Sequence, residues 1–239
     1  MKLLLLDLWG TVFYPKVSME EFWRVRASHL RDALEEAGYT FAFQEVYRAC
    51  RAGRAVTDRL RRATGREVDV KGELVLVLHH LGVPADPTEA MVEAYLHPYV
   101  HLPEKAPGVE ALAEEAHSLG YAVAAASNVM SWRHAAQVLR RLGLQALFDH
   151  HFYSDIIGWR KPTHHFYMHI FSTLGATPSS TVMVGDEEGD VAVERLGAKA
   201  IAYEGFHPYT GELEPTARVK SHVEAARLLR GITYGAKTA

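Results

Sequence analysis

The sequence holds a single cysteine, Cys50, in 239 residues, so no intramolecular disulfide can form and nothing indicates a thiolate metal site. Cys50 is expected as a buried free thiol. Charge of one sign is also missing: 26 Lys and Arg against 29 Asp and Glu leave a net charge of −3. Nothing in that balance draws the chain as a whole toward nucleic acid or an anionic membrane. Long apolar runs are absent as well. The opening Met1-Lys2-Leu3-Leu4-Leu5-Leu6 imitates a signal peptide, but Asp7 interrupts it short of the roughly 7–15 apolar residues such a segment needs. No later stretch reaches the roughly 20 apolar residues of a membrane span. The expectation is a cytoplasmic protein with neither a membrane nor a nucleic-acid partner, whose function rests on local sites. With 48% apolar residues, the chain has the material for a sizeable core, which excludes disorder and a collagen-like fibre.

Leu3 to Leu6 is a short, continuous apolar run that ends in Asp7 and then Gly10-Thr11. This is the pattern of a fully buried parallel strand opening into a loop. The pattern returns three times: Tyr121 to Ala126 before Ser127-Asn128, Thr181 to Val184 before Gly185-Asp186, and Ala198 to Tyr203 before Glu204-Gly205. Helical spacing separates these runs, in Val109, Leu112, Ala116 and Leu119, then from about 132 to 142, then from about 163 to 174, each stopped by a glycine. Alternating strand and helix predicts an α/β fold with a doubly wound parallel sheet, whose ligands sit beyond the carboxyl ends of the strands.

Residues 14–100 read differently, as an inserted helical module. Ser18 and Glu21 form a capping box ahead of a stripe through Phe22, Val25, Leu30, Leu34 and Ala37, and a second helix is expected from about 43 to 63. The sheet domain then comprises residues 1–13 and 101–239. From Arg48 to Arg66 there are seven arginines against one acid, Asp58, and Arg48, Arg51, Arg59 and Arg62 can share a helix face. A solvated exterior is the simplest reading of that face; recruitment of an anion is the alternative.

Four motifs stand at strand tips or just before helices, in order: Asp7-Leu8-Trp9-Gly10-Thr11, Ser127-Asn128, Lys161-Pro162, and Gly185-Asp186-Glu187-Glu188-Gly189-Asp190. Singly each is weak; their order is specific. Asp7 is suited to act as a carboxylate nucleophile. Several acids converging on one crevice need a counter-charge, and oxygen donors of this kind suit Mg²⁺. Ser127, Asn128 and Thr11 can surround an anion at the strand tips, and Lys161 supplies a compact positive charge. In these four motifs the chain resembles the haloacid dehalogenase superfamily of hydrolases, and the insertion resembles that family's helical cap. The resemblance implies a Rossmann-like core with an inserted α-helical cap domain. It also implies Asp7, the main-chain carbonyl of Trp9 and Asp186 as Mg²⁺ ligands, with Asp190 direct or through water. Asp7, Lys161, Ser127 and Thr11 would be catalytic; Ser127, Asn128 and Lys161 would bind a small anionic substrate.

One position departs from the phosphatases of that family, which carry a second aspartate two residues after the nucleophile as general acid and base. Here it is Trp9, whose indole has no titratable proton. General acid–base help is typically worth 10²–10⁴-fold, so an ordinary phosphomonoesterase would suffer. The 2-haloacid dehalogenases of the family also carry an aromatic residue there, but they lack the acidic metal motif, and they place a substrate-binding arginine soon after the first motif, where Phe13 to Val17 here offers only Lys16. Three readings follow: a Mg²⁺-dependent hydrolase of a small phosphorylated metabolite through an aspartyl-phosphate, a haloacid dehalogenase, and a degenerate phosphate- or partner-binding protein. A phosphonate-cleaving variant fits poorly with so bulky a residue as Trp9. Of the fourteen histidines, His164 and His165 are candidates to replace the missing acid; the spacing of His165 and His169 is too weak a signal for zinc.

Overall fold

The computed structural model describes residues 1–235, and the chain divides into two compact units. One comprises Met1–Tyr14, Glu104–Asn128 and the chain from Leu139 onward; the other comprises Pro15–Pro103 and Val129–Val138.

The first unit is built on a six-stranded parallel sheet. Its strands are β1 (Lys2–Leu6), β4 (Tyr121–Ser127), β5 (His150–Tyr153), β6 (Thr181–Gly185), β7 (Lys199–Tyr203) and β8 (Ala217–Val219), in the order β5-β4-β1-β6-β7-β8. Two further short strands, β2 (Phe13–Pro15) and β3 (Pro103–Lys105), pair with each other. Leu3 to Leu6 are completely buried, as a strand with helices over both faces requires. β4 and β6 lie on opposite sides of β1: β4 pairs with Leu6 opposite Ala125, and β6 with Leu6 opposite Val184. The strand order therefore reverses at β1, and a crevice opens at its carboxyl end. The same registers bring Asp7, the Ser127 tip and the Gly185-Asp186 tip to one edge of the sheet.

Small residues on β4 (Ala124, Ala126) and large ones on the helix His164–Leu174 (Phe166, Tyr167, Ile170, Phe171) fill one core cluster with Leu3, Leu5 and Met183. The predicted helices at 132–142 and 163–174 are found at Trp132–Arg141 and His164–Leu174.

The second unit is helical: α1 (Met19–Glu36), α2 (Phe43–Thr64), α3 (Val70–His80) and α4 (Glu89–His101). Ser18 caps α1 by accepting from the Glu21 N–H at 3.1 Å. Gly65 ends α2 in a left-handed conformation. Trp23, Leu30, Leu34, Leu74, Tyr95 and Leu96 are among its core residues, and Cys50 is fully buried there, with burial pushing its thiol up to about 12. It is a free thiol.

Residues 129–138, which the sequence pattern places with the sheet, cluster with these helices instead. Met130 is the reason: its carbonyl accepts from the Val70 N–H at 3.0 Å, and its sulfur accepts from Arg54 Nη1 at 3.2 Å. No helix among the described residues is long and apolar enough to cross a membrane.

Candidate active site

Asp7 directly follows β1, and its N–H donates to the Val184 carbonyl at 3.0 Å, continuing the ladder one residue past the strand. The chain then folds back tightly, with Val12 N–H and Phe13 N–H both reaching the Leu8 carbonyl at 2.8 and 3.0 Å. Gly10 makes that loop possible twice over. Its φ is +86°, and a Cβ at this position would collide with the Asp186 carboxylate. Gly185 has the second role alone, since a Cβ there would fall on the Asp190 side chain.

These contacts bring Asp7, Asp186 and Asp190 together. One carboxylate oxygen of each lies within 4.8 Å of those of the other two, and all three side chains are buried. Lys161 is the cation among them. Its Nζ donates to Asp7 Oδ1, to Asp190 Oδ1 and to the Ala126 carbonyl at 2.7 Å. The Ser127 hydroxyl, beside Lys161, is the other side-chain donor that favours the ionised Asp7 carboxylate.

Three acids against one lysine leave an excess of negative charge in a dry place. Burial pushes the Asp7 carboxyl above the usual carboxylate range; Lys161 opposes the shift and Asp186 reinforces it. Asp190 is raised further, again by burial, with Lys161 opposing and Asp7 and Asp186 adding to the rise. Burial would lower Lys161, but Asp190 and Asp7 outweigh it and hold the ammonium above its ordinary value. Two carboxylates about 4 Å apart repel by roughly 4 kcal/mol at an effective dielectric near 20, so this pocket favours a further cation. An all-oxygen donor set of buried carboxylates fits a hard divalent ion such as Mg²⁺.

The other expected residues are present, with two unforeseen arrangements. Asn128 does not extend its carboxamide into open space: its Oδ1 accepts from the Lys161 N–H at 2.9 Å and its Nδ2 donates to the Lys161 carbonyl at 3.1 Å. It clasps the backbone of the lysine and so fixes where Nζ can reach. Thr11 is fully buried and donates to Asp186 Oδ1 at 2.9 Å, so it orients an acid. Asp190 is held by its short helix, where its Oδ2 accepts from the Glu187 N–H at 3.0 Å. Tyr167 braces the same turn through the Gly189 carbonyl at 2.6 Å.

Trp9 is half-buried and meets Phe13 edge to face at 6.2 Å. His165 lies flat on Trp159 at 4.1 Å, and with His164 it lines a surface cavity of about 440 Å³ alongside Met168 and Ser172.

One site residue lies outside the four motifs. His207, in the loop after β7, sets its Nε2 2.9 Å from Asp186 Oδ2, and that hydrogen bond pushes its imidazole up to about 9. The signal was available in principle, because β7 neighbours β6 and its tip opens on the same edge of the sheet. A run of Glu204-Gly205-Phe206-His207 with no known motif gave no reason to choose the histidine.

A family profile for haloacid dehalogenase-like hydrolases matches residues 1–193. A comparison with curated proteins found no sequence match. Among solved structures, the chain is similar to a HAD phosphatase from Thermococcus onnurineus, at 19% identity and TM-score 0.66 over 97% of this chain and 99% of that one. It is equally similar to the L-2-haloacid dehalogenase of Xanthobacter autotrophicus solved with chloropropionic acid covalently bound, at 20% identity and TM-score 0.65 over the same shares. The HAD-hydrolase YfnB of Bacillus subtilis, solved bound to magnesium, matches at 16% identity and TM-score 0.64 over 95% of this chain and 98% of that one. At these identities the structures speak for the fold, and they divide between phosphatase and dehalogenase. The family match covers most of the chain and the whole of its ordered acidic motifs: the protein belongs to the haloacid dehalogenase-like hydrolases.

Proposed function

We propose that the protein is a Mg²⁺-dependent hydrolase of a small phosphorylated metabolite with a good leaving group, working through an aspartyl-phosphate on Asp7. The observation that carries this reading is the meeting of Asp7, Asp186 and Asp190 within 4.8 Å beside Lys161. An anionic haloacid would be repelled by three carboxylates that their cationic neighbours neutralise only in part, whereas a metallated cluster would attract a phosphate. Asp7, Asp186, Asp190 and the Trp9 carbonyl are the proposed ligands, and a bound Mg²⁺ supplies the charge that balances these acids and polarises the phosphoryl oxygens.

In the first half-reaction a carboxylate oxygen of Asp7 attacks phosphorus, and the bond from phosphorus to the leaving oxygen breaks, its electron pair departing with that oxygen. Lys161 neutralises the carboxylate before attack and the phosphoryl group after it, with Asn128 holding its backbone in place. Ser127 and the neighbouring backbone N–H groups hold the phosphoryl oxygens. In the second half-reaction water attacks phosphorus, the bond to Asp7 breaks, and phosphate leaves with the water's proton released to solvent or product.

Trp9 shapes the substrate class. Its indole cannot protonate a departing alkoxide, so the leaving group must depart unaided, as a carboxylate or phenolate does. Residues 14–100 act in this reading as the family's helical cap, where substrate choice resides.

Trp9 is also the one observation that favours the second reading, a haloacid dehalogenase, because halide needs no proton. Hydrolysis of an activated aryl phosphate by wild type and Asp7→Asn, with Mg²⁺ or with chelator, separates the two. Turnover lost with either change supports the phosphatase. No turnover with Mg²⁺ present, together with halide release from a 2-haloacid, overturns it.

A further inference from the structure

The carboxylate of Asp186 is gripped from two sides. Thr11, in the loop after β1, donates to Oδ1 at 2.9 Å. His207, in the loop after β7, faces Oδ2 with Nε2 at 2.9 Å. Asp186 follows β6, the strand between those two, so its neighbours on both sides hold it. The two contacts use different oxygens, which fixes the plane of the carboxylate and not merely its position. Each oxygen accepts one hydrogen bond there and keeps a second lone pair.

His207 is itself braced. Its Nδ1 lies 3.1 Å from the Pro208 carbonyl, and its ring meets Phe206 at 5.5 Å. Phe206 in turn stacks on Tyr14 at 4.8 Å with the planes 16° apart. The imidazole therefore comes to Asp186 from a loop anchored by an aromatic pair. Nothing in the proposed chemistry requires His207 to touch a reacting atom, yet it is the second hydrogen-bond partner of a carboxylate in the three-acid cluster.

We infer that His207 is a positioning residue for the divalent cation, holding the Asp186 carboxylate in the orientation that brings one of its oxygens within 4.8 Å of those of Asp7 and Asp190. This rests on the metal-dependent reading above. Hydrogen-bond partners of metal-binding side chains typically account for 10–100-fold in metal affinity, because they hold the donor set in place before the ion arrives. The contrasting role is that of a positively charged stand-in, with the imidazole occupying the space that the ion would take. That role predicts the opposite sign, since removing the histidine would then ease binding.

The test is direct metal binding by the full chain, read as free Mn²⁺ by electron paramagnetic resonance and as Mg²⁺ by calorimetry, with metal-free thermal unfolding alongside. His207→Ala should weaken binding about 10–100-fold. His207→Phe keeps the ring against Phe206 and removes the N–H, and should weaken binding to the same degree. His207→Gln restores a donor and should recover part of the loss. A merely packing role would spare His207→Phe. Unchanged or tighter binding by His207→Ala overturns the inference while leaving the metal-dependent reading intact. Wild type that binds neither ion, and behaves like Asp186→Asn, overturns the metal reading and the inference with it.

Discussion

Each of the two units buries a cluster of charge, and the clusters are composed differently. In the helical unit Glu73 is fully buried, yet every charge near it is answered. Its Oε2 accepts from Arg61 Nη1 at 3.0 Å and from Thr57 at 2.7 Å, and its Oε1 accepts from the Tyr95 hydroxyl at 2.7 Å. Arg54 lies 3.6 Å away, and Arg61 turns its Nε to Glu67 at 2.9 Å. Burial would raise Glu73, but Arg54 and Arg61 outweigh it and hold the carboxyl below its usual range. In the sheet unit three buried aspartates face one buried lysine and the half-exposed imidazole of His207, so acids still outnumber cations, and Asp7 and Asp190 are raised. Balanced charge of the first kind fixes how helices pack. Unbalanced charge of the second kind is held in place by the fold at a cost, and that excess is what a cation and a nucleophile can use.

Substitutions should separate the two clusters cleanly. The largest effect is expected for Asp7→Asn, which should lower phosphoryl transfer by ~10⁴-fold or more while the metal-free melting temperature holds or rises, because one of three mutually repelling acids is gone. Glu73→Ala should do the reverse. Two arginines lose a buried partner, and urea unfolding should show a loss of about 3–5 kcal/mol.

A buried histidine, His222, sharpens the contrast because its hydrogen bond goes to a backbone carbonyl rather than to an acid, with Nδ1 3.2 Å from the Pro107 carbonyl. It is fully buried against Tyr203, its Nε2 is unpaired, and burial pushes it down to about 4. Between pH 6.5 and about 4 the unfolded chain holds this proton and the folded one does not. Stability should therefore be complete above pH 6.5 and fall by up to about 3 kcal/mol as the pH drops through that window. Unfolding curves of His222→Phe against pH should be flatter over the same range. The smallest of these effects is ligand stabilisation: Mg²⁺ at 100 times its dissociation constant should add about 2.7 kcal/mol to wild type and little to Asp186→Asn.

Much of the sheet unit is legible in the sequence because its central strands are unbroken apolar runs with polar tips, a pattern with few competing explanations. Asp7, Ser127 and Asp186 stand at the tips of such runs, while Lys161 and Asp190 stand out only as members of the ordered motif set; the structure brings Asp7, Lys161, Asp186 and Asp190 together. The flanking strands were not readable. β5 begins with His150-His151, and β8 is three residues long; neither has the apolar continuity of a buried strand. Which neighbours Asn128 and Thr11 touch is not legible, since a carboxamide or hydroxyl at a strand tip gives no sign whether it faces a ligand or a neighbouring loop.

The arginine-rich stretch shows the same limit. Arg48, Arg51, Arg59 and Arg62 are exposed, as a solvated face requires, but Arg61 turns inward because Glu67 and Glu73 await it six and twelve residues on. Periodicity marks where a residue lies on a helix, and partners brought by folding decide whether its charge is buried.

Mass spectrometry of the full chain, quenched rapidly after mixing with Mg²⁺ and acetyl phosphate, tests the central claim most directly. One phosphoryl group is expected on the peptide containing Asp7 in wild type and none in Asp7→Asn. Turnover of acetyl phosphate with the Asp7 peptide unmodified, or equal labelling of Asp7→Asn, would contradict it.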